Sequence, residues 1–230
     1  DGNPDLYVVN DYAPNNLLRN RGDGTLEETA DQYGPDIETH SSSAIFADFD
    51  NDGDLDRFLG RTLAKSQYLP NENGHFRDRS ERSGAPFPML VSSLSAADYN
   101  KDGLLDIYVS TYAHHRGNDG VPDLPQPDSE TLVKMYSHMH QIYNVWGPAN
   151  LLLRNLGGGR FERVEDSAVT LFRHSYQSVW TDYDRDGNPD LYVVNDYAPN
   201  NLLRNRGDGT FEDTTERAGA ADVGFGMAAT

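Results

Sequence analysis

Three nine-residue stretches carry acidic side chains at alternate positions: DFDNDGDLD at 48–56, DYNKDGLLD at 98–106 and DYDRDGNPD at 182–190. Oxygens at positions one, three and five converge when the backbone wraps tightly, and glycine at six permits the sharp turn. A main-chain carbonyl at seven and a carboxylate at nine then complete the six or seven oxygens that Ca²⁺ takes. The first candidate set is Asp48, Asp50, Asp52, Asp56 and the carbonyl of Asp54. The second is Asp98, Asn100, Asp102, Asp106 and the carbonyl of Leu104. The third is Asp182, Asp184, Asp186, Asp190 and the carbonyl of Asn188. Carboxylates packed this closely repel unless a cation neutralises them, which disfavours bare solvated turns. Mg²⁺ fits less well, because it demands octahedral geometry and keeps its water. An EF-hand would need Glu at position twelve and flanking helices. Position twelve is Leu59, Val109 and Val193, and the flanks read as strands.

The elements that must hold these loops are legible in a repeat. The opening 25 residues, DGNPDLYVVNDYAPNNLLRNRGDGT, return letter for letter at 186–210. Ladder starts fall at 48, 98 and 182, and the second gap is longer because an extra segment sits in it. Each ladder is followed by a β-prone run such as Leu6-Tyr7-Val8-Val9, Ile107-Tyr108-Val109 or Leu191-Tyr192-Val193-Val194. A second run follows (Asn16–Asn20, Asn150–Asn155, Asn201–Asn205), then a Gly turn, then an alternating run such as Phe211–Thr215. A further run precedes each ladder: Ser43–Ala47, Leu94–Ala97 and Ser178–Thr181. Four short strands per unit, repeated, predict an all-β β-propeller of four-stranded antiparallel blades with the acidic loop between strands one and two. The blades expected are about 43–80, 94–166 and 177–216, with a fourth from about 1–30 completed by 224–230 if the ends meet; if they do not, the chain is part of a longer propeller. The opening DGNPD is the second half of a ladder whose first oxygens are absent. That site is expected to be empty or completed by another chain, and self-association through the incomplete blade is a corollary.

Composition narrows the function. Lysine and arginine number 19 against 37 aspartates and glutamates, a net charge of −18. Such a chain is a poor binder of nucleic acid or anionic membrane and a good binder of cations. It has no cysteine, hence no disulfide framework or thiolate chemistry. No apolar run reaches about 18 residues, so no membrane insertion is expected. Residue 1 is Asp with no leader before it, so the sequence reads as a mature piece or a fragment. The verbatim copy exceeds what packing demands; recent duplication, design or an overlapping cut would each produce it.

The ladder DxDxDGxxD, followed by L-Y-V, N-L-L-x-N and G-D-G-T-F-E, resembles the FG-GAP or VCBS repeat. That family includes integrin α-subunit propellers and bacterial secreted proteins similar to cartilage acidic protein. The resemblance implies a calcium-stabilised propeller, extracellular or at the cell surface, used in adhesion or ligand binding. This chain departs from it in having only about four blades and no additional C-terminal domain.

Other features are weaker. Arg21-Gly22-Asp23 and Arg206-Gly207-Asp208 spell an integrin-recognition tripeptide, but Leu156-Gly157-Gly158 at the same place marks these as variable turn residues. An insertion at about 113–148 opens with a Pro-rich loop and then predicts a helix with Leu132, Val133, Tyr136 and Met139 on one face and Asp128 or Ser129 at its N-cap. It is the candidate determinant of partner choice, the partner being a protein or glycan. Its His114, His115, His138 and His140 make a transition-metal site conceivable, but His138 and His140 are two apart on the predicted helix and point in different directions, which favours surface histidines. No catalytic constellation is expected. The alternative is a carbohydrate-binding module, or a non-catalytic part of a polysaccharide-active enzyme, with Tyr112, Tyr136, Tyr143 and Trp146 stacking on sugars.

Overall fold

The computed structural model describes residues 2–33, 40–112, 125, 127–131, 133, 146–222 and 227–229. They form four antiparallel sheets in chain order. The first holds β1 (Leu6–Val8), β2 (Asn16–Asn20) and β3 (Leu26–Glu28), followed by a one-turn helix α1 (Ala30–Tyr33). The second holds β4 (Ser41–Ala47), β5 (Asp56–Arg61) and β6 (Gln67–Leu69). The third holds β7 (Val91–Ala97) and β8 (Asp106–Thr111), and then β10 (Leu151–Asn155) and β11 (Phe161–Arg163). The last holds β12 (Phe172–Thr181), β13 (Asp190–Asp196), β14 (Asn201–Asn205) and β15 (Phe211–Asp213), with β9 (Trp146–Ala149) on its other edge. Helix α2 (Thr215–Ala218) follows, closed by Gly219 in the left-handed conformation. The fold is all-β and propeller-like: successive sheets meet through their first strands, β4 beside β7 and β7 beside β12.

Each ladder ends where a second strand begins, at Asp56, Asp106 and Asp190. These strands are covered on both faces, so β8 is buried at every residue. That is why they read as continuous apolar runs and do not alternate with polar residues. One side chain set faces the preceding sheet and the next faces the following one. Phe49, Phe58 and Tyr68 of the second sheet pack with Ile107, Leu153 and Phe161 of the third. Tyr99, Tyr108 and Leu152 of the third pack with Leu191, Leu203 and Phe211 of the last.

First strands converge, and their small residues follow from the crowding. Ser42 Oγ donates to the Val91 carbonyl at 2.5 Å, and Ser92 Oγ to that of Ser175 at 2.5 Å. Ser95 and Ser178 hydroxyls lie 2.7 Å apart. These serines satisfy their own polar groups across the seam, as burial requires.

Two elements differ from expectation. The fourth strand of the second sheet is reduced to a single bridge, Asn71 to Phe76, before a 3₁₀ turn at Ser80–Arg82. Pro70 has no N–H to give to a ladder, and Ser80 Oγ takes the Tyr68 N–H at 2.9 Å. The insertion also ends earlier than 148, because Trp146–Ala149 pairs with β12, which starts at Phe172 and so exposes a free edge. Gly147 allows this approach: a Cβ there would stand 2.5 Å from the Arg173 carbonyl carbon. The expected pairing of 224–230 with the opening blade falls largely on residues outside those described. Ala229 N–H donates to Gln177 Oε1 of β12 at 3.0 Å.

Gly147→Ala is expected to cost about 1–3 kcal/mol, since backbone cannot yield as a side chain can. Urea unfolding followed by circular dichroism checks this.

Candidate metal centre

Each acidic loop is wound by its own side chains. Asp48 accepts from the Asp52 and Gly53 N–H groups at 3.1 and 3.0 Å, and Asp98 from Asp102 and Gly103 at 3.0 and 2.9 Å. Asp182 accepts from Gly187 at 3.0 Å. The fourth residue of each loop (Asn51, Lys101, Arg185) has φ near +60° and is followed two residues later by a glycine with positive φ, the double twist that folds the chain back. The fifth-position carboxylates of Asp52, Asp102 and Asp186 each accept from the N–H of the seventh residue (Asp54, Leu104, Asn188) at 2.9 Å, which holds the peptide just before the one expected to offer its carbonyl.

The ninth aspartate anchors the loop. Asp56, Asp106 and Asp190 are fully buried at the start of their strands. One oxygen accepts from the second-position N–H (Phe49, Tyr99, Tyr183) at 3.1–3.3 Å. The other accepts from the N–H of the asparagine that ends the third strand, Asn155 and Asn205 at 2.8 Å, or lies two residues past it, Asn71 at 2.9 Å. Asp5 and Asn20 make the same bond at 2.8 Å in the first sheet.

In the first and third loops carboxylate oxygens of positions one, three and nine converge, Asp48 with Asp50 and Asp56, and Asp182 with Asp184 and Asp190, all within 4.8 Å. In the second loop Asn100 replaces one carboxylate, and its amide donates to Asp102 at 2.9 Å. In the third loop the Arg204 guanidinium lies on Asp184 (2.5 Å) and Asp186 (2.8 Å), a cation standing where the charges gather. Its cross-strand neighbour Glu212 pairs with Arg206 at 3.5 Å and Arg217 at 3.2 Å, whereas the equivalent Arg154 pairs with its own cross-strand neighbour Glu162.

Electrostatics agree. Burial pushes the Asp106 carboxyl up to about 7, with the charges of Asp102 and Asp98 adding, while the Asn155 N–H opposes the shift. Burial also raises Asp56, aided by Asp50, and Asp190, aided by Asp184 and Asp186. Burial and the neighbouring Asp52 raise Asp50. Asp186 is lowered, chiefly by the Asn188 N–H and then by Arg204. An oxygen-only, strongly anionic cradle whose buried member resists ionisation fits a hard divalent cation, which would supply the missing positive charge.

Sequence reasoning named the aspartates but gave no role to the strand-ending asparagines or to Arg204. The signal was present in the recurring N-L-L-x-N run. The tripeptides are turns whose groups are used internally: Arg21 pairs with Glu27 at 2.7 Å, and Asp23 and Asp208 hold the N–H of Thr25 and Thr210 at 2.9 and 3.0 Å. Asp128 caps its helix by accepting from Thr131 N–H at 2.7 Å, while Leu132, Tyr136, Met139, Tyr143 and the four insertion histidines lie outside the described residues. Tyr112 stacks on Tyr176 at 4.6 Å and donates to Asp196 at 3.0 Å, so its ring is engaged in packing.

Fold and loops together define a β-repeat protein whose units each carry an acidic turn. Residues 1–59 and 182–230 match the family model of the FG-GAP-like repeat, so these two segments carry that repeat. Similar proteins include cartilage acidic protein 1 of Xenopus tropicalis, 29% identical over 116 residues, and of Mus musculus, 30% identical over 116. The human protein of that name is 29% identical over 114 residues. In each case the match covers 48% of this chain but only 17–18% of the relative, so the chain spans a small part of the relatives' length.

Because Asp106 holds its proton in the folded state up to about 7 and releases it nearer the usual carboxylate range when unfolded, cation-free stability should fall as pH rises through that window. In excess chelator the melting temperature is expected to drop from about pH 5 to about pH 8, and Asp106→Asn to flatten the drop. A differential scanning fluorimetry series over pH checks both.

Proposed function

We propose that the chain is a calcium-stabilised β-propeller module that binds a protein or glycan ligand outside the cell, with calcium structural and no catalytic role. The blades are 43–80, 94–166 and 177–216, with 1–30 as part of another. The observation that carries the reading is the convergence of three carboxylates, one of them buried, in the first and third loops. Asp48, Asp50, Asp52 and Asp56 would hold one ion, Asp98, Asn100, Asp102 and Asp106 a second, and Asp182, Asp184, Asp186 and Asp190 a third, with the carbonyls of Asp54, Leu104 and Asn188. Bound Ca²⁺ cancels the repulsion inside each loop and braces strands one and two against the third. In the third loop Arg204 gives way to the ion and turns to Glu212.

Placement outside the cell is supported by two considerations. Extracellular modules use weak oxygen-ligand sites of about 10⁻⁴–10⁻³ M affinity, which suits these partly exposed loops. The relatives carry cartilage in their name. The ligand surface is assigned to the mouth of the propeller with the insertion, 113–145 once Trp146–Ala149 is counted with the last sheet, which interrupts the third sheet between β8 and β10.

At a calcium concentration about 100-fold above the dissociation constant, each occupied site adds about 2.7 kcal/mol, or about 5–10 °C in melting temperature for a chain of this size. Thermal melts in calcium and in chelator are expected to differ by at least one such step. Asp50→Ala and Asp184→Ala, which leave no side-chain oxygen at position three, should each remove one, and isothermal titration should lose one site in each variant. Equal melts with and without calcium would sink the proposal.

A further inference from the structure

The second and last sheets are each followed by the same pattern of residue types, DRSERSGA at 78–85 and DTTERAGA at 213–220. Both runs fold alike. Asp78 accepts from Gln67 Nε2 and from the Ser80 hydroxyl, each at 2.6 Å. Asp213 accepts from Asn201 Nδ2 at 3.0 Å and from the Thr215 hydroxyl. Those hydroxyls in turn accept the Tyr68 and Leu202 N–H groups, each at 2.9 Å. The chain then turns on Gly84 and Gly219, both at positive φ. It returns so that the Pro88 and Asp222 carbonyls accept from the Ser66 and Asn200 N–H groups at 3.3 and 3.2 Å. Each arrangement leaves a cleft, about 730 Å³ beside the second sheet and about 710 Å³ beside the last.

Both clefts receive an inner guanidinium, by different routes. Beside the second sheet it is Arg61, at the end of β5; beside the last it is Arg173, from β12. Both side chains are half-buried. Burial pulls Arg61 below the usual arginine value and Arg173 down to about 10, with Asp78 and Asp213 respectively opposing the shift. An exposed second arginine, Arg82 or Arg217, lines the same cleft. The first sheet separates scaffold from cations. There Asn16 Nδ2 donates to Glu28 at 2.6 Å, the bond that Gln67 and Asn201 make, yet Asn10 takes the place of Arg61 and Gln32 that of Arg82 and Arg217. The carboxylate–amide bond therefore forms without arginine, and the paired cations serve something else.

We propose that each cleft binds a carboxylate-bearing sugar unit of a glycan, its carboxylate on the two guanidinium groups and its hydroxyls on the amide, hydroxyl and carboxylate groups of the wall. Arginine takes a carboxylate bidentately. The clefts are larger than a bare anion needs and within the size range of small-ligand sites. Their acidic members, Asp78 with Glu81 and Asp213 with Glu216, accept from hydroxyls and repel a second anionic group. The net charge of −18 acts the same way at long range, so a densely sulfated or phosphorylated polymer is disfavoured against a sugar carrying one charge. None of these residues belongs to an acidic loop or to the insertion, so the two sites are additional to the calcium sites and the ligand surface proposed above.

A two-dimensional NMR titration of the calcium-loaded chain with sodium glucuronate tests this, with glucose, acetate and a short peptide bearing a free C-terminal carboxylate as comparisons. Saturable shifts are expected at the Gly84 and Gly219 amides, with the three comparisons binding about tenfold more weakly or less. Arg82→Gln should weaken the response at Gly84 about tenfold and leave that at Gly219, and Arg217→Gln the reverse. Both variants should keep the thermal melt of the parent, because both side chains are exposed. No saturable shift at either glycine overturns the proposal. So do shifts confined to Gly53, Gly103 and Gly187, which place the sugar on loop calcium, and binding that both substitutions leave intact. Glucose, acetate or peptide binding as tightly as glucuronate overturns the choice of an acidic sugar.

Discussion

The structure depends on a hydrogen bond from the backbone of an asparagine beside a strand end to a buried aspartate. It recurs at Asp56–Asn71, Asp106–Asn155 and Asp190–Asn205, and the same bond joins Asn20 to the exposed Asp5 of the first sheet. The aspartate opens the second strand and holds the loop before it, and the asparagine stands at or just past the end of the third strand and opens the next turn. One carboxylate therefore ties loop, second strand and third strand together. A charged acceptor makes a stronger bond than a neutral one, but a buried charge with no counter-charge is costly. That tension is the physical case for a cation: the group that organises each unit is the group the fold would leave electrostatically unmatched.

The asparagines extend the constraint from one sheet to the next. Asn155 and Asn205 send their carboxamide N–H to a loop carbonyl of the preceding sheet while their Oδ1 accepts from the glycine two residues on. Strand pairing, loop shape and sheet-to-sheet spacing thus meet at one side chain. The aromatic at the second loop position then fills the space beside it, as Phe49 does against Tyr68 and Phe161. A loop that held calcium would transmit its rigidity along this route into the apolar seams.

The duplicated segment separates intrinsic preference from context. Both copies form the same two strands and the same aspartate–asparagine bond, so these follow from local letters. Their other partners differ. Asn15 reaches Ser41 of the following sheet at 3.0 Å, whereas Asn200 donates to Tyr192 at 3.0 Å. The side chains are identical; the neighbours are not.

Sequence alone determined the repeat, the acidic loops, the strand runs and the family resemblance, because each rests on short-range spacing: alternate oxygens, a glycine at a fixed offset, and β-prone runs bounded by turns. It did not show that Pro70 thins the second sheet to one bridge, that Trp146–Ala149 joins the sheet beyond its own, or that Arg204 lies across the third loop. Nor did it mark the asparagines as latches. Those outcomes depend on which edges stay open and which side chains meet across seams between residues as far apart as Phe49 and Asn155. Packing decides such contacts only once the sheets stand side by side.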